Sequence, residues 1–418
     1  MFVEAKEAFS RDRALRIALY APIAEHAAYS AIKKRPVARL KSVIKNAWNR
    51  LSTRITGTLV LSDYHYLTRQ HTNKGDLAIR VAIREQLIEA FNPQQLEFLE
   101  ITWGDMTPEL LREVNASCDL FVIGGGGYVF VRGDGSTNTR LEDINFLRQI
   151  SCPVIAYAIG MNRLMHEQLC GLDEVTAETK KKLGELARLC AHMSVRDVET
   201  RQLFAMHVDK LQAPAVVGDP VLFLRKRNES RGRGVVAERC RIGINLAAHG
   251  WQAIQVLTGA LSELVAFLRW LKDEYGAELV YFVHHDLEHP VADYLQAQGL
   301  QLVKIDTDPV SMIGEYAEVD FVICQMLHSS IFAANAEVPF LSIAYDQKNL
   351  AFCRLLEVPQ CCIPHEHATV ATLQEAFRTL FGVRDELRGV LQRRKQELQA
   401  DMLEFQRRIK ELRAHVGD

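Results

Sequence analysis

Short polar or glycine-rich segments stand where the sequence passes from an apolar run into a helical pattern. They are residues 73–76, 124–127, 194–197 and 325–330. Glycine lets a backbone approach a ligand closely, arginine clamps carboxylates and phosphates, and histidine moves protons near neutral pH. Together these residue types predict a site for an anionic substrate that undergoes acid–base chemistry.

The first two segments carry glycine. Asn73, Gly75 and Asp76 stand before a helix, whose N-terminus offers free N–H groups; the alternative is that Asp76 only caps this helix. Glycines 124–127 follow the apolar run 119–123, and we expect a ligand loop whose N–H groups cradle an anion. The loop glycines that we assign to substrate binding are Gly125, Gly126 and Gly127. Val129 excludes a GxGxxG dinucleotide fingerprint.

The other two segments carry the reactive side chains. Arg196 follows a short strand, and we expect it to point into the cleft and bind a carboxylate or phosphate; the alternative is a surface pair with Asp197. His328 and Ser329 follow the strand at 319–324, at a helix start. This position predicts a catalytic histidine that shuttles a proton.

Two further clusters have alternative interpretations. A histidine-rich loop crowds the end of a strand, with the members His284, His285, Asp286, Glu288 and His289. Adjacent ligands on one loop rarely converge on a metal, so we assign His284 and His285 to substrate contact and predict no metal site. The DxD sequence at 306–308 is interpreted as a helix or turn cap rather than a metal ligand set.

Alternating strands and helices predict two Rossmann-like domains of the α/β class. Strands are expected at 58–61, 96–101, 119–123, 153–159, 193–195 and 215–217, and again at 241–246, 279–283, 302–304, 319–324 and 340–343. The predicted organisation is a first domain at 57–224, a polar linker at 225–240, a second domain at 241–382 and a long helix at 383–418. A central cleft would then hold the ligands, beyond the carboxyl ends of the strands.

Both ends of the chain have distinctive patterns. Residues 1–56 form a basic extension: between Glu25 and Asp63 there are eight lysines and arginines and no acidic residue. This stretch is interpreted as a solvated helix packed on a domain, or as a patch that contacts an anionic membrane weakly. The C-terminal helix carries a heptad-like apolar stripe, made of Leu387, Leu391, Leu398, Met402, Phe405, Ile409 and Leu412. The stripe predicts either a homodimer or packing across the first domain.

Composition narrows the function classes. The chain has 418 residues and a formal net charge of −2, which does not favour nucleic-acid binding. Its nine cysteines are dispersed, as is typical of reduced thiols, and the N-terminus lacks a secretory pattern. No run of about 18 apolar residues is evident. We therefore expect a cytoplasmic protein, with the basic extension as its only link to a membrane.

Six motifs in order resemble the polysaccharide pyruvyl transferase family. They are NKGD, FVIGGGGYVF, CPVIAYAIGMNR, SVRDVETRQLF, VVGDPVLFL and MLHSSIFAANAEVPFLSIAYDQK, and they span residues 57–382 approximately. The resemblance implies a GT-B-like fold and transfer of the enolpyruvyl unit of phosphoenolpyruvate to sugar hydroxyls, with phosphoenolpyruvate as co-substrate and no cofactor. Arg196 would hold the donor, and His328 would protonate its C3 or deprotonate the acceptor. The first domain would be the acceptor side, with the glycine loop, and the second the donor side.

One departure from the family pattern bears on the donor. The family has arginine two residues before the histidine, whereas this chain has Met326. Lys348, His284 or His285 would have to replace the lost cation. The alternatives are a GT-B-like transferase with a nucleotide-sugar or another phosphorylated donor, and a non-catalytic binding protein that assembles through its C-terminal helix.

Overall fold

The computed structural model describes residues 14–22, 36–61, 73–91, 96–137, 139–163, 171–208, 213–225, 240–248 and 251–414. The predicted linker at 225–240 falls almost wholly outside these residues, so its boundaries stay predictions. The predicted α/β class with two Rossmann-like sheets is confirmed.

The first sheet has six parallel strands in the order β2-β1-β3-β4-β5-β6. Its strands are β1 (Leu15–Ala21), β2 (Leu96–Thr102), β3 (Leu120–Phe130), β4 (Val154–Asn162), β5 (Cys190–Val195) and β6 (Ala215–Val216). The helices up to this point are α1 (Pro36–Thr56), α2 (Lys74–Phe91), α3 (Pro108–Ser117), α4 (Ile144–Leu147), α5 (Ala177–Leu189) and α6 (Val198–His207).

The N-terminal segment corrects our domain prediction. Strand β1 lies between β2 and β3 in the first sheet, so residues 15–21 belong to the first domain and not to an extension outside it. Ile17 and Leu19 in this strand are fully buried. The predicted strand at 58–61 does not form. The apolar run LRIALYA, which was not predicted as a strand, forms β1.

The second sheet is also parallel, in the order β12-β11-β10-β7-β8-β9. Its strands are β7 (Arg241–Asn245), β8 (Glu278–Phe282), β9 (Leu302–Ile305), β10 (Phe321–Cys324), β11 (Phe340–Ala344) and β12 (Cys362–Pro364). The helices are α7 (Trp251–Tyr275), α8 (His289–Ala297), α9 (Pro309–Tyr316), α10 (Leu327–Asn335), α11 (Gln347–Leu355), α12 (Val370–Gly382) and α13 (Arg384–Ala414). Strand β12 and the helices α9 and α11 were not predicted.

Strand order fixes where a ligand can bind. Counted within its own domain, the second sheet has the dinucleotide-fold order 3-2-1-4-5-6, whose order reverses between β7 and β10. In the first sheet the strand order reverses between β1 and β3. Crevices open at such reversals, beyond the carboxyl ends of the strands. The chain segments after β4, β5, β10 and β11 all emerge at these edges.

Helix α7 differs from the composition-based expectation. Within the described residues it is the one helix long and apolar enough to cross a membrane by length and composition, over Ala253–Tyr275, with a mean hydropathy of 1.3. Leu257, Phe267 and Leu271 on one of its faces are fully buried, and Phe267 contacts Phe377 of α12. These contacts make α7 a core helix of the second domain.

The C-terminal helix packs back on its own chain. The apolar stripe is buried along the length of this helix. Its buried members include Leu387, Leu391, Leu398, Phe405 and Ile409. The Phe405 ring lies 5.6 Å from that of Tyr157 in β4. Because the stripe is covered in this way, it is not free to form the predicted homodimer.

Candidate active site

A small pocket lies where the two domains meet. Its walls are Arg196, Asp197, Asp219, Leu327, Ile331, Lys348 and Phe352. Arg196 follows β5, Leu327 follows β10 and Lys348 follows β11, so the carboxyl ends of strands from both sheets deliver these residues. Two of the residues predicted from sequence, Arg196 and Lys348, therefore line the same pocket.

Arg196 is buried, with 5% of its surface exposed, which excludes the alternative of a surface pair with Asp197. Its Nη2 donates to the carbonyl oxygen of Met161 (3.1 Å) and to Oδ1 of Asn162 (3.2 Å), and its Nε donates to Oδ2 of Asp197 (3.3 Å). Asp197 is itself fixed as the N-cap of α6 through Thr200. No acceptor for Nη1 lies among the described residues. The guanidinium is thus held rigidly with one donor group left for a ligand.

Gly160 makes room for this arginine. A Cβ atom at position 160 would lie 2.1 Å from Nε of Arg196, far inside van der Waals contact. Only glycine lets β4 run directly beneath the guanidinium. The sequence analysis did not single out Gly160, because the contact joins residues that are distant in the chain.

His328 lies against the other domain. A Cβ atom at Gly75 would lie 2.0 Å from Nδ1 of His328, so the glycine lets the first turn of α2 approach the imidazole ring. The Nε2 atom of His328 is buried and has no hydrogen-bond partner in the described part of the chain. Such an unsatisfied buried polar atom requires an explanation, and a bound substrate supplies one.

The environment of His328 sets its charge. Burial, with the positive charges of Arg196 and Lys348, lowers the pKa of His328 to about 3. The imidazole is therefore neutral near pH 7. An anionic ligand between the two cations would offset their repulsion and raise this pKa.

Asn73 and Asp76 occupy the start of α2 at the same boundary. Oδ1 of Asn73 accepts from the N–H of Gly75 (3.1 Å), and its Nδ2 donates to Oδ2 of Asp76 (3.0 Å). The residue that caps the helix is thus Asn73, and the alternative role of Asp76 as the cap is wrong. Burial raises the pKa of Asp76 to about 6, against the opposing charge of Lys348.

Lys348 is the cation that the second domain brings to the pocket. Burial lowers the pKa of Lys348, but Tyr345 and Asp346 raise it by more, so the ammonium stays charged. Its Nζ lies 3.8 Å from Oδ2 of Asp346 and 5.5 Å from the ring centre of Tyr345. Met326 packs in a small apolar cluster with Ala247 and Ala253, against this same Tyr345. Methionine thus places an apolar group where the family has a charge.

Asp219 is a pocket residue that the sequence analysis quoted only as part of a motif. It is 1% exposed, its Oδ1 accepts from the N–H of Val221 (3.0 Å), and its Oδ2 has no partner among the described residues. Burial raises the pKa of Asp219 to about 6, although Arg196 opposes this effect. A carboxyl that gains and loses its proton near pH 6 suits proton transfer.

We expect Asp219→Asn to raise the free energy of unfolding at pH 8 by about 2–3 kcal/mol, the equivalent of a pKa that folding raises from 3.8 to about 6. An acid whose pKa is raised by folding costs stability above that pKa and nothing below its unfolded value. The increase in the free energy of unfolding should therefore shrink to less than about 1 kcal/mol at pH 4. Denaturant unfolding at both pH values measures it, and a pH-independent difference would contradict the assignment.

The glycine run differs from its predicted form. Glycines 124–127 do not form a loop after the strand but lie within β3, where Gly124 and Gly126 pair with Tyr157 and Ile159 of β4. Gly126 has φ +80°, and Cβ atoms at Gly125 and Gly126 would press on Ile79 of α2. The predicted loop is therefore wrong, because the run is part of a strand, and the assignment of Gly125, Gly126 and Gly127 to substrate binding stays a prediction. The glycines let α2 pack tightly on the sheet.

Three residues predicted to bind substrate have other partners. The ring of His284 is fully buried, and its Nε2 bonds the hydroxyl of Tyr316 (2.7 Å), which in turn bonds Oγ of Ser329 (2.6 Å). Nδ1 of His285 accepts from the N–H of Leu287 (3.1 Å). The side chains of His284 and His285, in the loop after β8, and of Ser329, at the start of α10, thus bond within the second domain. The backbone of His284 reaches the first domain, where its carbonyl oxygen accepts from the N–H of Lys74 (2.9 Å).

The acidic DxD sequence divides into two structural roles. Asp308 caps α9 by accepting from the N–H groups of Val310 (3.0 Å) and Ser311 (3.1 Å), so the predicted capping role is confirmed for this residue. Asp306 pairs with Lys74 across the domain boundary and with His289 (3.1 Å). Within the described residues, no group of three or more histidine, cysteine, aspartate or glutamate side chains is placed to hold a metal ion.

Two facing Rossmann-like domains with a pocket at their strand ends define a transferase fold of the GT-B type. Residues 73–347, about two thirds of the chain, match the family model for polysaccharide pyruvyl transferase. The chain belongs to the polysaccharide pyruvyl transferase family.

Comparison with known proteins shows the fold at low sequence identity. A protein assigned as a UDP-N-acetylglucosamine 2-epimerase from Listeria monocytogenes has a TM-score of 0.50 and 11% identity, over 75% of this chain and 87% of that one. An α,α-trehalose 6-phosphate synthase from Burkholderia multivorans has a TM-score of 0.46 and 10% identity, over 96% of this chain and 97% of that one.

Among curated proteins, the SIT4-associating protein SAP4 of Saccharomyces cerevisiae is 24% identical over 144 residues, which are 32% of this chain and 17% of that protein. The chain thus spans about a sixth of the length of this curated relative.

Proposed function

We propose that the protein transfers the enolpyruvyl unit of phosphoenolpyruvate to two hydroxyls of a sugar or lipid-linked glycan, forming a pyruvate ketal and releasing phosphate. One observation carries the proposal: Arg196 and Lys348 converge on a buried pocket beside the unpartnered Nε2 of His328. Phosphoenolpyruvate has a carboxylate and a phosphate, and this pocket has a cation for each. In the proposed site, Lys348 supplies the positive charge of the family arginine whose position Met326 occupies.

The described residues supply each proton transfer of this reaction. His328 acquires a proton when the donor offsets the cations, and passes it to C3 of phosphoenolpyruvate. The resulting oxocarbenium-like centre at C2 accepts a sugar hydroxyl, whose proton goes to Asp219 or Asp76 and then returns to His328. Phosphate leaves as its bond to C2 breaks, which forms a second oxocarbenium-like centre. The second hydroxyl attacks this centre to close the ketal and gives its proton to the released phosphate, so that in net terms the two hydroxyl protons end on C3 and on phosphate.

Calorimetric titration of phosphoenolpyruvate into the purified protein tests the donor. We expect binding by the wild type and by His328→Ala, and its loss in Arg196→Ala and Lys348→Met, because each removed cation costs a charge-assisted contact of about 1.5–3 kcal/mol. Arg201→Ala, on the exposed face of α6, is the matched control and should bind as the wild type does.

A second donor class has one observation in its favour. The apolar cluster around Met326 leaves one cation fewer than the family pattern has, and this suits a donor with a different arrangement of charge. If the wild type gives no heat with millimolar phosphoenolpyruvate, the proposal fails. Nucleotide-sugars are then the donors to titrate before a non-catalytic binding role is considered.

A further inference from the structure

Helix α1 is seated firmly on the second domain. Arg50 and Arg54 bind the two carboxylate oxygens of Asp293 in α8, at 2.8 Å and 2.9 Å. These partners, after the opposing effect of burial, lower the pKa of Asp293 to about 2. Just beyond the helix, the carbonyl oxygen of Gly57 accepts from Nε2 of Gln298 (3.0 Å). The orientation of α1 is thus fixed, and its inner face contacts the second domain.

The outer face of α1 is apolar and open. Ile44, Trp48, Leu51 and Ile55 are 59%, 65%, 49% and 74% exposed. Their spacing of four, three and four residues places them in one stripe along the helix, opposite the buried Asn49 and Thr53. We call this set the α1 stripe. Isolated exposed apolar residues are ordinary, but a continuous stripe with a central tryptophan indicates an interaction surface.

The charge around the α1 stripe identifies its partner. Between Glu25 and Asp63 the sequence carries eight cations, of which Arg50 and Arg54 pair with Asp293, and no acidic side chain. A twofold dimer built on this face would bring two copies of this basic segment together, and like charges would oppose association. An anionic bilayer suits both features, because its interface takes up tryptophan and aliphatic side chains and its headgroups attract lysine and arginine.

We propose that the α1 stripe docks the protein on an anionic lipid surface, with α1 lying in the plane of the interface. The helix then inserts its apolar face among the headgroups, while Arg50 and Arg54 keep it attached to the second domain. Docking does not depend on the identity of the donor. Helix α8, on which α1 rests, begins at His289, whose partner Asp306 also binds Lys74 at the domain boundary.

Co-sedimentation of the full chain with vesicles tests this docking. One set of vesicles is phosphatidylcholine alone, and the other contains about 30% phosphatidylserine. We expect binding to the anionic vesicles to be at least about tenfold tighter, since each cation near such a surface contributes several-fold. Trp48→Ala/Ile55→Ala should weaken binding to anionic vesicles by about tenfold or more, through the lost apolar contact.

Leu403→Ala is the matched control, because Leu403 is similarly exposed at 53% but lies on α13, and it should bind as the wild type does. All the substituted residues are exposed, so circular dichroism should show unchanged folding. Equal binding to neutral and anionic vesicles, or by the double variant and the wild type, would overturn the proposal. So would a concentration-dependent dimer that the double variant abolishes, since a second copy would then occupy the stripe.

Discussion

Replacing His328 with alanine is expected to lower kcat by about 10²–10⁴ while donor affinity stays near that of the wild type, because general acid–base catalysis contributes this much and the cations that bind the donor remain. Phosphate release from phosphoenolpyruvate in the presence of a glycan acceptor measures the rate. His367→Ala, at an exposed position remote from the pocket, is the matched control and should keep full activity. A variant that retains most of the wild-type kcat would remove His328 from the mechanism.

The charge state of His328 gives a second readout that needs no acceptor. Burial and the neighbouring Arg196 and Lys348 hold its pKa at about 3 in the empty site. An anionic donor offsets these cations, so donor binding near pH 6 should take up a proton. Calorimetry in two buffers with different ionisation enthalpies measures the uptake, which should be smaller in His328→Ala. Equal uptake by both proteins would show that the proton goes elsewhere.

Gly160→Ala is expected to weaken donor binding by tenfold to about a hundredfold and to destabilise the protein by about 1–3 kcal/mol. The new methyl group would lie 2.1 Å from Nε of Arg196, so the guanidinium must leave its bonds to Met161 and Asn162. Titration of phosphoenolpyruvate and denaturant unfolding measure the two effects. Gly259→Ala in α7 is the control, since a Cβ atom there meets nothing within 4 Å.

A double-mutant cycle tests whether the glycine acts through the arginine. If it does, Gly160→Ala should cost little stability in an Arg196→Ala background, where the shortened side chain leaves room for the methyl group. An unchanged cost in that background would mean that the methyl group strains β4 for another reason.

The sequence predicted most of the fold because buried parallel strands are continuous apolar runs. Strand β3 and strand β10 are clear examples. Strand β1 was not predicted, because its seven residues precede a strongly basic segment and the whole N-terminal stretch was interpreted as an extension. Residues 58–61 have the composition of a strand but do not form one, and the strand between β2 and β3 is β1.

The site was predicted in part, for a similar reason. Arg196 and His328 were found because residues that follow parallel strands meet at one edge of the sheet. The sequence does not show which way a loop turns its side chains, so His284 and Ser329 were assigned to substrate although they bond Tyr316. Asp219 and Gly160 matter through contacts with a distant arginine, and such contacts leave no local pattern.

Helix α13 spans both domains of the molecule. Its Lys395 donates to the carbonyl oxygen of Asn335 (2.6 Å), whose Nδ2 donates to that of Val221 (2.6 Å) in the first domain; farther along, Gln406 donates to the hydroxyl of Tyr157 (2.9 Å). Helix α13 therefore bonds to both domains through residues that do not line the pocket. The relative position of the two cation-bearing strand ends thus depends in part on a segment that contributes no side chain to the pocket itself.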